Sequence, residues 1–317
     1  MIDGIRSKSV ATFADIIQNH PDCIKGNTII KNGETIHEYK CDALTFTVQG
    51  NKVRMNGSIH KYFNDGHNNN DFIRGQLIEA LNDLWIRFRI NPYCTKINSL
   101  EIGLNLYYVP KKFINAIIEY KDKPVRITNN DFLYSESEHN NKSRYYLKAY
   151  DKDGMLRIEV HFSRMADINK NGIKYLSDLT TPENYKLLGE MLLNYYDNYL
   201  MYDDSLRIEK IKPKELLFLT EGKNPIYWRK ERDKNMENYK KHRKRFKKLS
   251  QQYGQDSIKK EVRKLLEDSL RLSNVSDKSF PELTKCLELN QCFPNQKFPR
   301  INTIDEATEK GNNTLGK

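Results

Sequence analysis

Residues 143–162, SRYYLKAYDKDGMLRIEVHF, constrain the fold more tightly than any other part of the chain. Leu156, Ile158, Val160 and Phe162 fall on one side of an extended strand, and Arg157, Glu159, His161 and Ser163 on the other. Asp153-Gly154 is a turn dipeptide suited to joining two antiparallel strands. A hairpin with one apolar face must bury that face under helices or a second sheet, so the rest of the chain has to supply a cover.

The neighbouring segments supply both strands and cover. Residues 28–63 read as strands broken at Asn32-Gly33 and Gln49-Gly50-Asn51, and INSLEIGLNLYYV, residues 97–109, alternates again. Apolar residues at helical spacing from Phe72 to Phe88 predict a helix. PKKFINAIIEY predicts a short helix opened by Pro110, and a further helix opens at TTPENY and runs through KLLGEMLLNYYDNYLMY. The expected fold class is α+β, a mainly antiparallel sheet with helices packed on one face, followed by a basic helical module. The expected boundaries are a sheet domain over 1–204, the basic module over 205–275 and a disordered tail over 276–317, where periodicity gives way to Pro, Asn and Gly.

Charge narrows the partner. The formal net charge is +11, and between Arg229 and Lys248 eleven Lys or Arg stand against three acids. That balance favours a polyanion, nucleic acid before a membrane surface. Arg229, Lys240, Lys241, Arg243, Lys244, Arg245, Lys247 and Lys248 can neutralise phosphates, while Tyr227, Trp228, Tyr239 and Phe246 either stack on bases or pack the helices. Cys23, Cys41, Cys94, Cys286 and Cys292 are odd in number and form no CxxC pair, so reduced thiols are expected, with neither a disulfide framework nor a zinc ribbon. The sequence shows neither a signal-peptide core nor an apolar run of about 20 residues, so a soluble, cytoplasmic protein without a membrane partner is expected.

Three elements carry chemistry. Glu159 and His161 project to one face of a strand, where a carboxylate and an imidazole suit Mg²⁺ or Mn²⁺; taken alone, the pair suits a surface ion pair or a hydrogen-bonded strand pair better. Glu101 shares its strand face with Ser99, Gly103 and Asn105, and completes a three-ligand set if the two strands are neighbours, or else pairs with a basic residue. Tyr195, Tyr196 and Tyr199 lie at helical spacing and offer a phenol for attack on a phosphodiester, though Leu188, Leu192, Tyr195 and Tyr199 also form an apolar stripe suited to packing on the sheet.

The order of INSLEIGLNL, RYYLKAYDK, LRIEVHF and a tyrosine-bearing helix, with NGSIHKYFNDG upstream, resembles the rolling-circle replication initiators of phages and plasmids, of the gene II/X and Rep_trans type, related to the HUH endonucleases. The likeness covers residues 53–203. It implies a sheet-based nicking domain, a divalent metal (Mg²⁺ or Mn²⁺) and a catalytic tyrosine that cuts and rejoins one strand of single-stranded or supercoiled origin DNA in a bacterial host. Host helicase and polymerase are implied as partners. By position it matches Glu101 and Glu159 to the family's acidic strand positions, Asp151 and Lys152 to its YDK pattern with Lys152 as a phosphate or DNA contact, and one of Tyr195, Tyr196 and Tyr199 to the nucleophile. Beside it, His161 is read as a metal ligand with Glu159, and His60 and Lys61, near a strand end, as facing DNA, with an ordinary surface role as the alternative for His60. The superfamily's His-hydrophobic-His pair is replaced here by Glu159-Val160-His161. Two other readings share the same residues: a nucleic-acid-binding accessory or regulatory protein without catalysis, and a nuclease using water as nucleophile.

Overall fold

A computed structural model of the chain describes residues 1–10, 14–121, 123–127, 133–139, 143–202, 204–254 and 257–273. The tail expected to be disordered, 276–317, lies outside them. In chain order the elements are β1 (Ile2–Val10), α1 (Ala14–Asn19), β2 (Ile24–Lys31), β3 (Glu34–Cys41), β4 (Leu44–Gln49), β5 (Lys52–Ser58), α2 (Ile59–Phe63), α3 (Arg74–Phe88), β6 (Lys96–Leu106), α4 (Pro110–Ala116) and β7 (Ile117–Tyr120). There follow β8 (Lys123–Pro124), β9 (Arg126–Ile127), β10 (Leu133–His139), β11 (Ser143–Lys152), β12 (Met155–Phe162), α5 (Ala166–Lys170), α6 (Pro182–Tyr196), β13 (Tyr199–Met201), α7 (Pro213–Glu221), α8 (Pro225–Lys234), α9 (Met236–Tyr253) and α10 (Ile258–Ser273).

The turn chemistry sets the pairing. Asn32-Gly33 and Asp153-Gly154 both adopt positive φ, the twist that lets two residues join antiparallel strands. Asp153-Gly154 therefore fixes Lys152 opposite Met155 and, counting back, Lys148 opposite Glu159. Ten strands form one antiparallel sheet in the order β2-β3-β4-β5-β1-β6-β12-β11-β10-β9, and β13, β7 and β8 form a second, three-stranded one. The α+β class is as expected. β1 was not foreseen, because register shifts in its pairing with β6 break the period of two: Ile2 faces Ile102, whereas Ile5 faces Leu100.

The apolar strand face is covered as the hairpin required. Leu77, Leu81 and Leu84 of α3, Phe113 of α4, Leu188 and Leu192 of α6, and Val262 and Leu266 of α10 join Leu156, Ile158, Val160 and Phe162 in one buried cluster. A second cluster gathers Phe218, Trp228, Tyr239, Phe246 and Leu249 of α7–α9 around Ile118 and Leu200. The 205–275 segment thus divides between two cores, with α10 returning to the sheet. Among the described residues no helix is long and apolar enough to cross a membrane.

Two helices end earlier than their periodicity suggests. The helix opened by Pro110 stops at Ala116, and Ile117–Tyr120 continues as β7, whose β-branched residues pair with β13. The helix opened by Pro182 stops at Tyr196, so Tyr199 stands on a strand and the helical spacing assumed for it does not hold.

The expectation of reduced thiols is corrected: Cys23 and Cys41 are joined by a disulfide, and Cys94 is disulfide-bonded as well. A register shift in the β2–β3 hairpin places Ile24 opposite Lys40, which carries Cys23 opposite Cys41.

Candidate active site

Four strands bring the polar positions together on the sheet face opposite the helices. β6 and β12 are neighbours, with His161 opposite Glu101 and Glu159 opposite Gly103. β11 sets Lys148 opposite Glu159, and Tyr150 and Lys152 follow on the same face two and four residues on. These side chains, with Asp3, Arg6 and Ser99 and with Lys61 and Asn68 beyond the sheet, line an open cleft of about 1030 Å³. Two glycines make room for the charges. A Cβ on Gly103 would stand 2.5 Å from the Cβ of Glu159, and one on Gly4 would stand 2.4 Å from Oε2 of Glu101.

The cleft floor is a continuous ionic network. Lys148 Nζ donates to Oε1 of Glu101 at 2.9 Å and to Oε1 of Glu159 at 2.7 Å. The other oxygen of Glu159 accepts from Arg157 Nε at 2.7 Å and from the Tyr150 hydroxyl at 3.1 Å. Arg157 also reaches Asp3 at 2.5 Å and Asn105 at 2.8 Å. Arg157 is 2% exposed and Glu159 3%, so each depends on the other for its charge. His161 lies between Glu101, at 2.6 Å from Nδ1, and the Ser99 hydroxyl, at 3.4 Å from Nε2. A carboxylate, an imidazole and a hydroxyl are thereby lined up for proton transfer.

The network sets the acidities. Burial alone would raise Glu101, but hydrogen bonds and charge from His161 and Lys148 outweigh it and lower the carboxyl to about 2. Burial likewise opposes the Lys148 ammonium, yet Glu159 and Glu101 hold it above the ordinary lysine value. Tyr150 is pushed up by burial and by the Glu159 charge, while Lys152 is lowered by burial and by the Arg157 guanidinium.

Sequence reading brings Glu101, Glu159 and His161 together correctly, but as arranged they do not fit a divalent ion. The Lys148 ammonium occupies the position between the two carboxylates, and the second oxygen of Glu159 is taken by Arg157 and Tyr150. Among the described residues no group of three or more His, Cys, Asp or Glu is placed to hold a metal. The ion-pair alternative for Glu101 is the arrangement observed.

The three tyrosines chosen from the sequence lie elsewhere. Tyr195 packs on Tyr145 and Phe162 with ring centroids 4.2 and 5.7 Å away, on the helix-covered face, so the sheet separates it from Glu159. Tyr196 and Tyr199 are fully buried, the first donating its hydroxyl to the Lys259 carbonyl at 2.8 Å. Burial pushes the Tyr195 and Tyr196 phenols up, as it does Tyr150, so it is position and not acidity that separates them from the cleft. Packing is the role observed for all three, and two other tyrosines line the cleft: Tyr62, bonded to Asp83 and Arg87, and Tyr150, which alone of the two bonds the Glu159 carboxylate.

The residues assigned to DNA divide into three groups. Lys152 hydrogen-bonds Asn68 in the cleft, and Lys61 lines its rim. His60 is buried, stacked on Phe72 at 4.7 Å and bonded to Asn70 at 2.8 Å, with burial lowering its pKa to about 4. Arg229, Lys240, Lys241, Lys244, Arg245 and Lys248 are exposed on α8 and α9, and Arg243 and Lys247 are half-buried. Trp228, Tyr239 and Phe246 are core residues and offer no ring for base stacking.

Compared with family models, with curated proteins and with solved structures, the chain matches none.

Sequence reading missed Lys148, Tyr150 and Asp3. The first two were within reach, because counting back from the Asp153-Gly154 turn sets Lys148 against Glu159 and places Tyr150 and Lys152 on the same face. Asp3 was not, since no period of two marks its strand.

Proposed function

We propose that the chain is a replication initiator of the rolling-circle type that cuts and rejoins one DNA strand in the polar cleft, with Tyr150 as nucleophile. One observation carries this reading: a single open cleft holds a phenol bonded to a carboxylate, the Glu101–His161 pair, and Lys148, Lys152 and Lys61 for a phosphate. The ordered strand motifs and the exposed basic face of α8 and α9 support it. In the proposed step the Tyr150 oxygen forms the new P–O bond and its proton passes to Glu159. The P–O bond to the displaced 3′ oxygen breaks, and that oxygen takes a proton from the His161–Glu101 pair to leave as a 3′ hydroxyl. Burial and the Glu159 charge make the Tyr150 phenol a weaker acid than usual, so an adjacent base is necessary. Origin DNA and the host replication machinery are the partners this reading requires.

The test is to mix the full chain with 3′-end-labelled single-stranded DNA from its own replicon, with and without Mg²⁺ or Mn²⁺, and to look for label that migrates with protein under denaturing conditions. The adduct should form with wild type, Tyr195→Phe and Tyr196→Phe, and vanish with Tyr150→Phe. Cleavage without an adduct would assign the nucleophile to water. Binding with neither would leave the accessory-protein reading, which rests on the basic face of α8 and α9 alone.

A further inference from the structure

A second cavity, of about 330 Å³, lies where β13 and the end of α6 meet α9 and the start of α10. Among the described residues lining it, Lys247, Lys259, Lys260 and Arg263 face one carboxylate, Asp197. That carboxylate is already engaged by Arg263 at 2.9 Å, and Arg263 is also paired with Glu267 one turn on, which leaves Lys259 and Lys260 as cations without a carboxylate of their own among the cavity's lining residues. Lys259 is half-buried, and its ammonium donates to the carbonyls of Asp197 and Tyr199, both at 2.6 Å. Backbone dipoles are weaker partners for a buried cation than a carboxylate. Beside it the Ser250 hydroxyl is buried with no hydrogen-bond partner among the described residues. Leu200 and Met201 give the cavity an apolar wall. Burial, and then the charge of Lys247, with Arg243 and Arg263 adding to it, lower Lys259 to about 8, so the cations repel one another in this arrangement.

Converging cations, an unpaired buried hydroxyl and one apolar wall make a receptor for a compact anion with an apolar body. We propose that this cavity binds a phosphoryl group carried on a nucleotide-sized body, either a free nucleotide or one nucleotide of a polynucleotide. The ammonium groups of Lys259 and Lys260 and the Arg263 guanidinium face the phosphate oxygens, and Ser250 donates to one of them. The site is separate from the sheet cleft and does not rest on strand cleavage taking place there.

Calorimetric titration of the full chain with inorganic phosphate, with AMP and with a short oligonucleotide tests this. AMP should bind saturably, and at least tenfold more weakly to Lys260→Gln, whose exposed side chain can be changed without disturbing the fold; Lys259→Gln should lose binding further. Phosphate displacing AMP would identify the free anion as sufficient. Saturable binding of the oligonucleotide alone, weakened more by Lys260→Gln than by Lys241→Gln on the outer face of α9, would identify a backbone phosphate as the ligand. Either result sustains the site. Failure of all three ligands to saturate, or affinities unchanged in Lys260→Gln, would overturn it.

Discussion

Replacing Lys148 by Met removes the cation that separates Glu101 from Glu159 while keeping the length of the side chain. Nζ lies 2.9 Å from one carboxylate and 2.7 Å from the other. The two negative charges left behind, about 5 Å apart, repel by about 3 kcal/mol at an effective dielectric constant of about 20. Arg157 still holds Glu159 and His161 still holds Glu101, but the loss of one partner from a buried charge cluster is costly, and a net destabilisation of about 2–4 kcal/mol follows. For a chain of this size that lowers the melting temperature by about 3–6 °C. The acid limb gives the decisive control. Glu101 is lowered from the ordinary 4.5 to about 2, so its contribution is complete above pH 4.5 and is lost as the pH falls from there towards 2. Without Lys148 the carboxyl takes up its proton at higher pH, so the gap between variant and wild type should be wide at pH 7 and narrow by pH 3. Thermal melts at both values measure it. A variant that melts with wild type at pH 7, or whose deficit is the same at pH 3, would refute the account of the cleft as a lysine-neutralised carboxylate pair.

Lys148→Met should also open a site for a cation: millimolar Mn²⁺ is expected to raise the melting temperature of the variant and not that of wild type, and equal shifts would speak against competition between ammonium and metal. Gly103→Ala forces a methyl group to 2.5 Å from the Glu159 Cβ and 2.8 Å from the Ile158 carbonyl, and should cost about 1–3 kcal/mol in chemical denaturation. Opening the Cys23–Cys41 disulfide by Cys23→Ser, which frees a separation of 18 residues without touching Cys94, should cost about 3 kcal/mol in the loop-entropy account; unchanged melting of the variant would show that the β2–β3 hairpin contributes little to the cooperative unit. Trp228→Ala should remove about 3–5 kcal/mol and melt α7–α9 first, which helical circular dichroism can follow.

Much of the site could be read from alternation and turn chemistry, because both act over a few residues. The Asp153-Gly154 turn and the apolar series Leu156 to Phe162 specify the hairpin register, and with it the company that Glu159 keeps. What stayed hidden depends on contacts between distant segments. The ends of the helices at Ala116 and Tyr196 are set by pairing of β7 with β13, which no local pattern announces. Tyr195, Tyr196 and Tyr199 have the spacing of a catalytic cluster and the burial of a core, and only the packing of α6 on β12 decides between them. The aromatic residues of the basic module present the same ambiguity, resolved by Ile118 and Leu200 arriving from elsewhere to complete their core.

The position of β1 bears on how the chain assembles as it is made. The strands β2–β5 pair among themselves, as do β6 and β12–β9, and β1 alone joins the two sets through β5 on one edge and β6 on the other. Its second partner is complete only at residue 106. At about 5–20 residues per second of synthesis, the first strand waits about 5–20 s with an edge unsatisfied. During that interval the β2–β5 meander can close, while the cleft cannot, since Asp3 and Gly4 reach their places only when β1 docks on β6. Closure of the β2–β5 meander and formation of the site are therefore separate events in time, and the cleft comes into being only when β6 has both partners, β1 on one edge and the β11–β12 hairpin, complete at residue 162, on the other.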